Sequence, residues 1–182
     1  MASQSKTIFE SNSEVMDEYT LDPSKLPTNK SPKWVIKFDG IEGGVDIEAV
    51  EGSFSCYHCA FDFARDLNGQ DTVGAGLKGK AVFMLQNNPA TPLMEKLFQN
   101  MSSNKVFKTV SIVRLMDSAE KNLQNVYVMT NAKVSKLRSN NDMICGEISF
   151  EQIQMTAFVV NDKGEQNGKL QSGYNFEKGE TQ

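Results

Sequence analysis

The stretch from Ile144 to Gly179 constrains the fold more than any other, because its first strand changes the face that it buries. Ile148 and Phe150 alternate with Glu147, Ser149 and Glu151. Farther on, Ile153, Met155, Ala157 and Val159 alternate with Gln152, Gln154 and Thr156. Side chains in a strand repeat every two residues, so the parity shift between Phe150 and Ile153 requires a bulge, or a strand that passes from one packing environment into another. After the turn Asn161-Asp162-Lys163-Gly164 the chain returns through Leu170, Ser172, Tyr174 and Phe176 at alternate positions, completing a long hairpin. The two apolar sets read as a division of labour. Ile148 and Phe150 serve one packing surface and Ile153, Met155 and Val159 another, one of them the core and the other a subunit interface or the side covered by a helix. A strand that buries first one face and then the other points to a small closed or partner-covered β-structure.

The remaining segments are also mostly β. Trp34, Ile36 and Phe38 alternate with Lys33, Val35 and Lys37, giving a first strand that ends at Asp39-Gly40. A second strand with blurred alternation covers about 45–63. The segment from Ala64 to Lys80 is rich in Gly, Asp and Asn and reads as a long loop of the kind that carries binding functions. A short strand over 81–85 precedes the one convincing helix. Thr91 is its expected N-cap, Pro92 its first residue and Glu95 an acid in its first turn, while Leu93, Met94, Leu97, Phe98 and Met101 form one apolar stripe. Ser102-Ser103-Asn104 ends it. Strands over about 106–116 and 126–137 follow, for six or seven strands in all. Residues 1–32 are polar, contain Pro23, Pro27 and Pro32, and read as an arm; Ile8, Phe9, Val15, Met16, Tyr19 and Leu21 give it enough apolar surface to dock. The folded domain is expected over 33–179, with a short tail at 180–182.

Composition narrows the function classes. A net charge of -4, with dispersed Lys and Arg, offers no basic face for nucleic acid. No apolar run approaches the roughly 20 residues that span a bilayer, so membrane insertion is not expected. The first residues lack the hydrophobic centre of a signal peptide, which predicts synthesis in the cytoplasm. Three cysteines suit a reducing compartment rather than a disulfide framework.

Four motifs carry possible chemistry, and each has a plainer explanation. Cys56-Tyr57-His58-Cys59 has the spacing of a zinc or redox pair, but the only further ligand of this kind is Cys145, and a redox pair belongs at a helix N-terminus. In a regular strand Cys56 and Cys59 would point to opposite faces. His58 is the sole histidine, and no nucleophile-elbow sequence accompanies it. Gly74 to Lys80 approaches a phosphate-loop spacing, but Ala81 replaces the required hydroxyl and a strand follows in place of a helix. Asp39, Glu42, Asp46, Glu48 and Glu51 fit no calcium-loop pattern and read as a solvated rim. The nine methionines suit irregular core gaps. No enzyme constellation emerges, and no cofactor or metal is expected.

The order of elements resembles the Hcp family, the tube protein of type VI secretion systems. The resemblance runs over about 33–179 and rests on the first strand, the glycine-bearing loop, Asn88-Pro89-Ala90-Thr91-Pro92-Leu93 opening the single helix, the parity-changing segment Gly146 to Met155, the charged turn Asn161 to Gly168, and the closing Ser172-Gly173-Tyr174-Asn175-Phe176. The sequence departs from the family pattern in its N-terminal arm, in Met155 and Ala157 where aromatic residues are usual, and in its Cys-Tyr-His-Cys. The resemblance implies a mainly β fold: a small β-barrel of two packed antiparallel sheets with one flanking α-helix. It further implies self-assembly into hexameric rings that stack into a tube. It also implies contractile sheath, spike and baseplate partners, effectors held in the lumen, and export from the bacterial cytoplasm without a cleaved signal. Asp66, Asn68, Asp71, Val73, Leu77, Lys78, Ile153 and Met155 are the expected subunit or ring contacts. A monomeric ligand-binding β-barrel, or the tail-tube protein of a phage or another contractile machine, is the alternative; an enzyme built on Cys56, His58 and Cys59 is a third reading.

Overall fold

The computed structural model describes residues 33–65, 77–87, 91–116, 123–139, 143–161 and 166–181. The arm at 1–32 and the positions Asp66, Asn68, Asp71 and Val73 lie outside them. The described elements are β1 (Trp34–Phe38), β2 (Phe54–Arg65), β3 (Leu77–Gln86), α1 (Leu93–Ser102), β4 (Phe107–Leu115), β5 (Leu123–Ser139), β6 (Met143–Ser149), β7 (Gln152–Val160), β8 (Gln166–Asn175) and β9 (Glu180–Thr181). All pairings are antiparallel. β4, β1, β2, β3, β6 and β5 form a six-stranded barrel that closes through the β4–β5 pairing, and β7, β8 and β9 continue the same sheet from β5. The mainly β barrel with one helix agrees with the sequence reading. The expected tail at 180–182 contributes Glu180 and Thr181 to an edge pairing with Asn175 and Tyr174.

The parity change that opened the sequence reading is a corner. β6 and β7 run in succession along one edge of β5, β6 opposite Lys133–Ser139 and β7 opposite Asn125–Thr130. Between them Phe150 and Glu151 face Asn131 and Ala132, and both strands turn there. Asn131 takes the left-handed conformation (φ 51°) that Asn tolerates better than most residues. Its amide donates to the Glu151 carboxylate at 2.6 Å, and the Glu151 N–H donates to the Thr130 carbonyl. The strand β5 changes parity at the same place, from Met129 to Ala132 and Val134. All of Ile148, Phe150, Ile153, Met129, Ala132 and Val134 consequently enter one core. The expected division of labour between two packing surfaces is corrected for Ile153, which joins Ile148 and Phe150 because the shift lets one core follow a bend.

Other expectations also change. The segment 45–53 is not strand. It folds back through Gly43 N–H to Gly52 carbonyl and Val45 N–H to Ser53 carbonyl bonds, with a 3₁₀ turn at Glu48–Val50. Val45, Ile47 and Val50 thereby cover Val35, Val113 and Leu115 on the outer face of β1 and β4, so β1 is buried on both sides. β3 starts at Leu77, four residues earlier than expected, because Leu77–Lys80 pair with Arg65–Asp62 of β2. A side chain at Gly79 would meet the rings of Phe176 and Phe150, which keeps this position bare. The helix begins one residue later than expected: Lys96 N–H bonds to the Pro92 carbonyl, placing Pro92 at the N-cap with no side-chain cap. Its stripe is borne out in part: Leu93 and Leu97 are buried in the main core and Met94 and Met101 pack against it, but Phe98 stays 54% exposed. Phe38 sits at the centre, with ring centroids of Phe107, Phe83 and Phe54 at 5.4, 5.5 and 6.3 Å.

Candidate assembly surface

The β7–β9 extension carries the surface best suited to a partner. β7 pairs with β5 only as far as Ala157, so Phe158–Val160 and their partners Lys169–Gln166 project beyond it. The outer edge of β8 pairs with β9 at Tyr174 and Asn175 alone; from Gln166 to Gly173 no described strand meets it. An unpaired edge of this length presents a row of backbone donors and acceptors, the usual template for another strand. Leu170 is 70% exposed and Val159 43% exposed at this end. Beside them Asn125, Tyr127, Met155, Ala157, Leu170 and Ser172 line an open recess of about 250 Å³.

Below the recess an aromatic series links the core to the surface. Trp34 stacks near Tyr127 (6.3 Å), Tyr127 contacts Phe61 (4.3 Å), and Phe61 lies parallel to Phe63 (6.2 Å), which neighbours Phe176 (6.5 Å). Phe176 in turn meets Tyr174 and Phe150 edge-on. The Arg114 guanidinium lies 5.5 Å from the Trp34 ring centroid, where the ring's negative face attracts it. Burial pushes the Tyr127 hydroxyl above its ordinary range, offset only in part by the Arg114 charge. Trp34, Phe61, Tyr127, Tyr174 and Phe176 pack against the main core, while Phe63 stays 40% exposed.

The residues singled out from the sequence fall into separate places. Met155 is half-buried, packs against the core and lines the recess. Ile153 is buried in the core of its own chain. Lys78 is exposed on the outer side of β3, and Leu77 opens that strand. Leu170 and Val159 stood in the apolar alternation but gave no sign of being exposed; Val159 lies past the last β5–β7 pair, and Leu170 sits on β8, level with Asn125, where no described residue covers it.

The Cys-Tyr-His-Cys motif is placed differently from expectation. The β2–β3 register slips between Cys56 and His58, so Tyr57 is an added residue in a bulge. That one residue turns both cysteines to the interior, opposite Leu85 and Phe83, and their thiols interact. The expected opposite orientation is thus corrected. Burial, then the neighbouring Cys59, hold the Cys56 thiol well above its ordinary range. His58 pairs across from Met84 on the outer face and is pushed below its ordinary value by desolvation. The histidine and the thiols therefore lie on opposite sides of the wall and do not converge. Among the described residues no group of three or more His, Cys, Asp or Glu gathers as a metal site. The acidic segment lines an open recess of about 730 Å³ with Glu42, Asp46, Glu48 and Glu51, where the Lys37 ammonium donates to the Glu51 carbonyl at 2.8 Å.

No family model and no curated protein matches the sequence. Solved structures do match the fold. Hcp1 from Salmonella typhimurium superposes with a TM-score of 0.66 at 16% identity, over 82% of this chain and 97% of that one. A type six secretion system protein superposes with a TM-score of 0.70 at 13% identity, over 82% and 98%. A type VI secretion system effector from Yersinia pestis gives 0.59 at 16%, over 78% and 98%. The chain has the fold of the Hcp structures, and the superpositions leave about a fifth of its length uncovered.

Proposed function

We propose that the chain is a tube subunit of a type VI secretion system, forming rings that stack, carry or chaperone effectors, and leave the cell when a sheath contracts. The observation that carries the reading is the Hcp fold combined with an open β8 edge and exposed apolar residues on the β7–β8 hairpin. A ring of copies would cover that edge and the recess beside it. Met155, Leu170 and Val159 are the proposed contacts within a ring. Lys78, Leu77 and the segment with Asp66, Asn68, Asp71 and Val73 are proposed for contact between rings. The barrel interior favours this reading over a ligand-binding barrel, because Phe38, Phe83, Ile112, Met129, Ile144 and Ile148, all with no exposed surface, fill it. Cys56 and Cys59 belong to that filling, which supports a structural rather than a catalytic role for them.

Size-exclusion chromatography with light scattering, followed by negative-stain microscopy, tests the proposal. Rings or tubes are expected; a protein that stays monomeric at high concentration overturns it. Deleting residues 66–76, which spares the paired Leu77–Gly79, is expected to abolish stacking while rings persist. Tubes that persist unchanged would remove that segment from the contact.

A further inference from the structure

The sheet has a second open edge besides that of β8. In the run β2-β3-β6-β5-β7-β8, β2 and β8 stand at opposite ends. β1 covers only Phe54, Ser55 and Cys56 of β2. Beyond them β2 continues through His58–Arg65, paired with β3 on one side, and among the described residues no strand meets its other side. This bare stretch, 58–65, equals the bare stretch 166–173 of β8 in length. Each presents backbone N–H and C=O groups that a further strand can pair. The side chains along the two edges also match. In a strand, residues two apart share a face. Phe61 and Phe63 share the inward face of Cys59, and Leu170 and Ser172 share that of Tyr174. Both inward faces leave apolar surface in water, with Phe63 40% and Leu170 70% exposed. On the outward faces β2 offers Asp62 and β8 offers Lys169.

We infer that these two edges meet across copies, β8 of one subunit adding to β2 of the next as an antiparallel strand. The inference rests on the tube reading and names the backbone contact within its ring. One register satisfies every match at once. With Asp62 opposite Lys169 of the neighbouring copy, Phe61 stands opposite Leu170 and Phe63 opposite Gly168. His58 and Arg65 then stand opposite Gly173 and Gln166, so the two bare stretches coincide end to end. Opposite charges become cross-strand neighbours on the outward face. On the inward face Phe61 covers Leu170, and Phe63 takes the space over Gly168, where an added Cβ would meet only Val159 at 3.8 Å. An aromatic ring set across from an edge glycine is a stabilising pair. The two edges differ, so the contact is heterologous: every copy keeps an edge for a further copy, and the series closes into a ring or continues as a filament. Pairing of β8 with a second β8 would stop at a dimer and leave Phe63 in water.

Crosslinking of the full chain tests the contact. In the double variant D62C/K169C, a bismaleimide spanning about 8 Å reaches both opposite and diagonal cross-strand neighbours. Treated assemblies are expected to run as a ladder of linked copies on a denaturing gel. D62C alone, K169C alone and the unaltered chain, whose three cysteines are buried, are expected to stay single. Dimers from K169C alone would assign β8 to a symmetric contact and overturn the inference. Assemblies of unchanged mass in light scattering that give no ladder would overturn it too, and would leave the tube reading standing. An unaltered chain that stays monomeric overturns both. If the double variant does not assemble, carbodiimide coupling of the unaltered chain decides, with nitrogen-15-labelled and unlabelled copies assembled together. A mixed-isotope link between Asp62 and Lys169 supports the inference. Its absence, with the intrachain Lys80–Glu147 link formed as a control, refutes it.

Discussion

Replacing Lys80 by Met removes the counter-charge of a carboxylate that has few other ways to be solvated. Glu147 is 3% exposed on β6, its Oε1 lies 2.9 Å from the Lys80 ammonium, and it accepts a 2.8 Å hydrogen bond from the Ser135 hydroxyl. Burial by itself raises the Glu147 pKa. The bonds from Lys80 and Ser135, with the charges of Lys80 and Lys136, outweigh it and hold the carboxyl below its ordinary 4.5. A hydrogen bond to a charged group contributes about 1.5–3 kcal/mol, and the 48% exposure of Lys80 moves the expected loss to about 1–2 kcal/mol. With a urea m-value of about 2 kcal/mol/M, the K80M midpoint should fall by about 0.5–1 M at pH 7. The pH dependence is the sharper test. In the unaltered protein a depressed folded pKa contributes stability above the unfolded value that is lost as pH falls through the folded pKa. In K80M burial is opposed only by Ser135 and Lys136, so the folded pKa rises and a penalty grows as pH climbs past the unfolded value. The deficit of K80M should therefore be small near pH 3 and full by pH 7, and K80M/E147Q should recover most of it. A deficit that is constant across pH 3–7, or larger in acid, would refute the reasoning.

Three further outcomes follow from the packing. Leu97→Ala leaves a cavity beneath α1 and should cost about 2–5 kcal/mol, read as a lower thermal midpoint with the barrel still folded by circular dichroism. Gly146→Ala places a methyl group against the Phe83 ring and should cost about 1–3 kcal/mol, an effect that Phe83→Leu in the same chain should partly relieve. Leu170→Asp lies at a 70% exposed position and should change stability by less than about 0.5 kcal/mol while preventing ring formation in light scattering. Rings of unchanged mass in Leu170→Asp would remove β8 from the proposed contact.

The sequence was most legible where a signal repeats within a few residues. The bounds of β1 at Trp34 and Phe38, the burial of Leu93 and Leu97 on α1 and the return strand through Tyr174 all follow from local period and turn chemistry. It was least legible where one residue changes the count. The bulge at Tyr57 reverses the relative orientation of Cys56 and Cys59, yet Tyr57 has no local mark that distinguishes it from a paired strand residue. Val35 read as an outward position for the same reason: its cover, Val45, Ile47 and Val50, comes from a segment whose apolar spacing imitates a strand.

The Ile144–Gly179 hairpin shows both sides of this limit. Its residues by themselves determine that the buried face must change between Phe150 and Ile153, because a two-residue period admits no other account. They do not determine why. That answer depends on β5, whose own parity shifts opposite the same point and whose Asn131 fixes the bend through Glu151. Pairing between distant segments decides which neighbour a strand meets, and the closure of β4 onto β5 decides which faces become interior. Tertiary structure alone therefore turned an apparent division between core and interface into a single core that follows a corner, and left Val159 and Leu170 exposed toward the turn end of the hairpin.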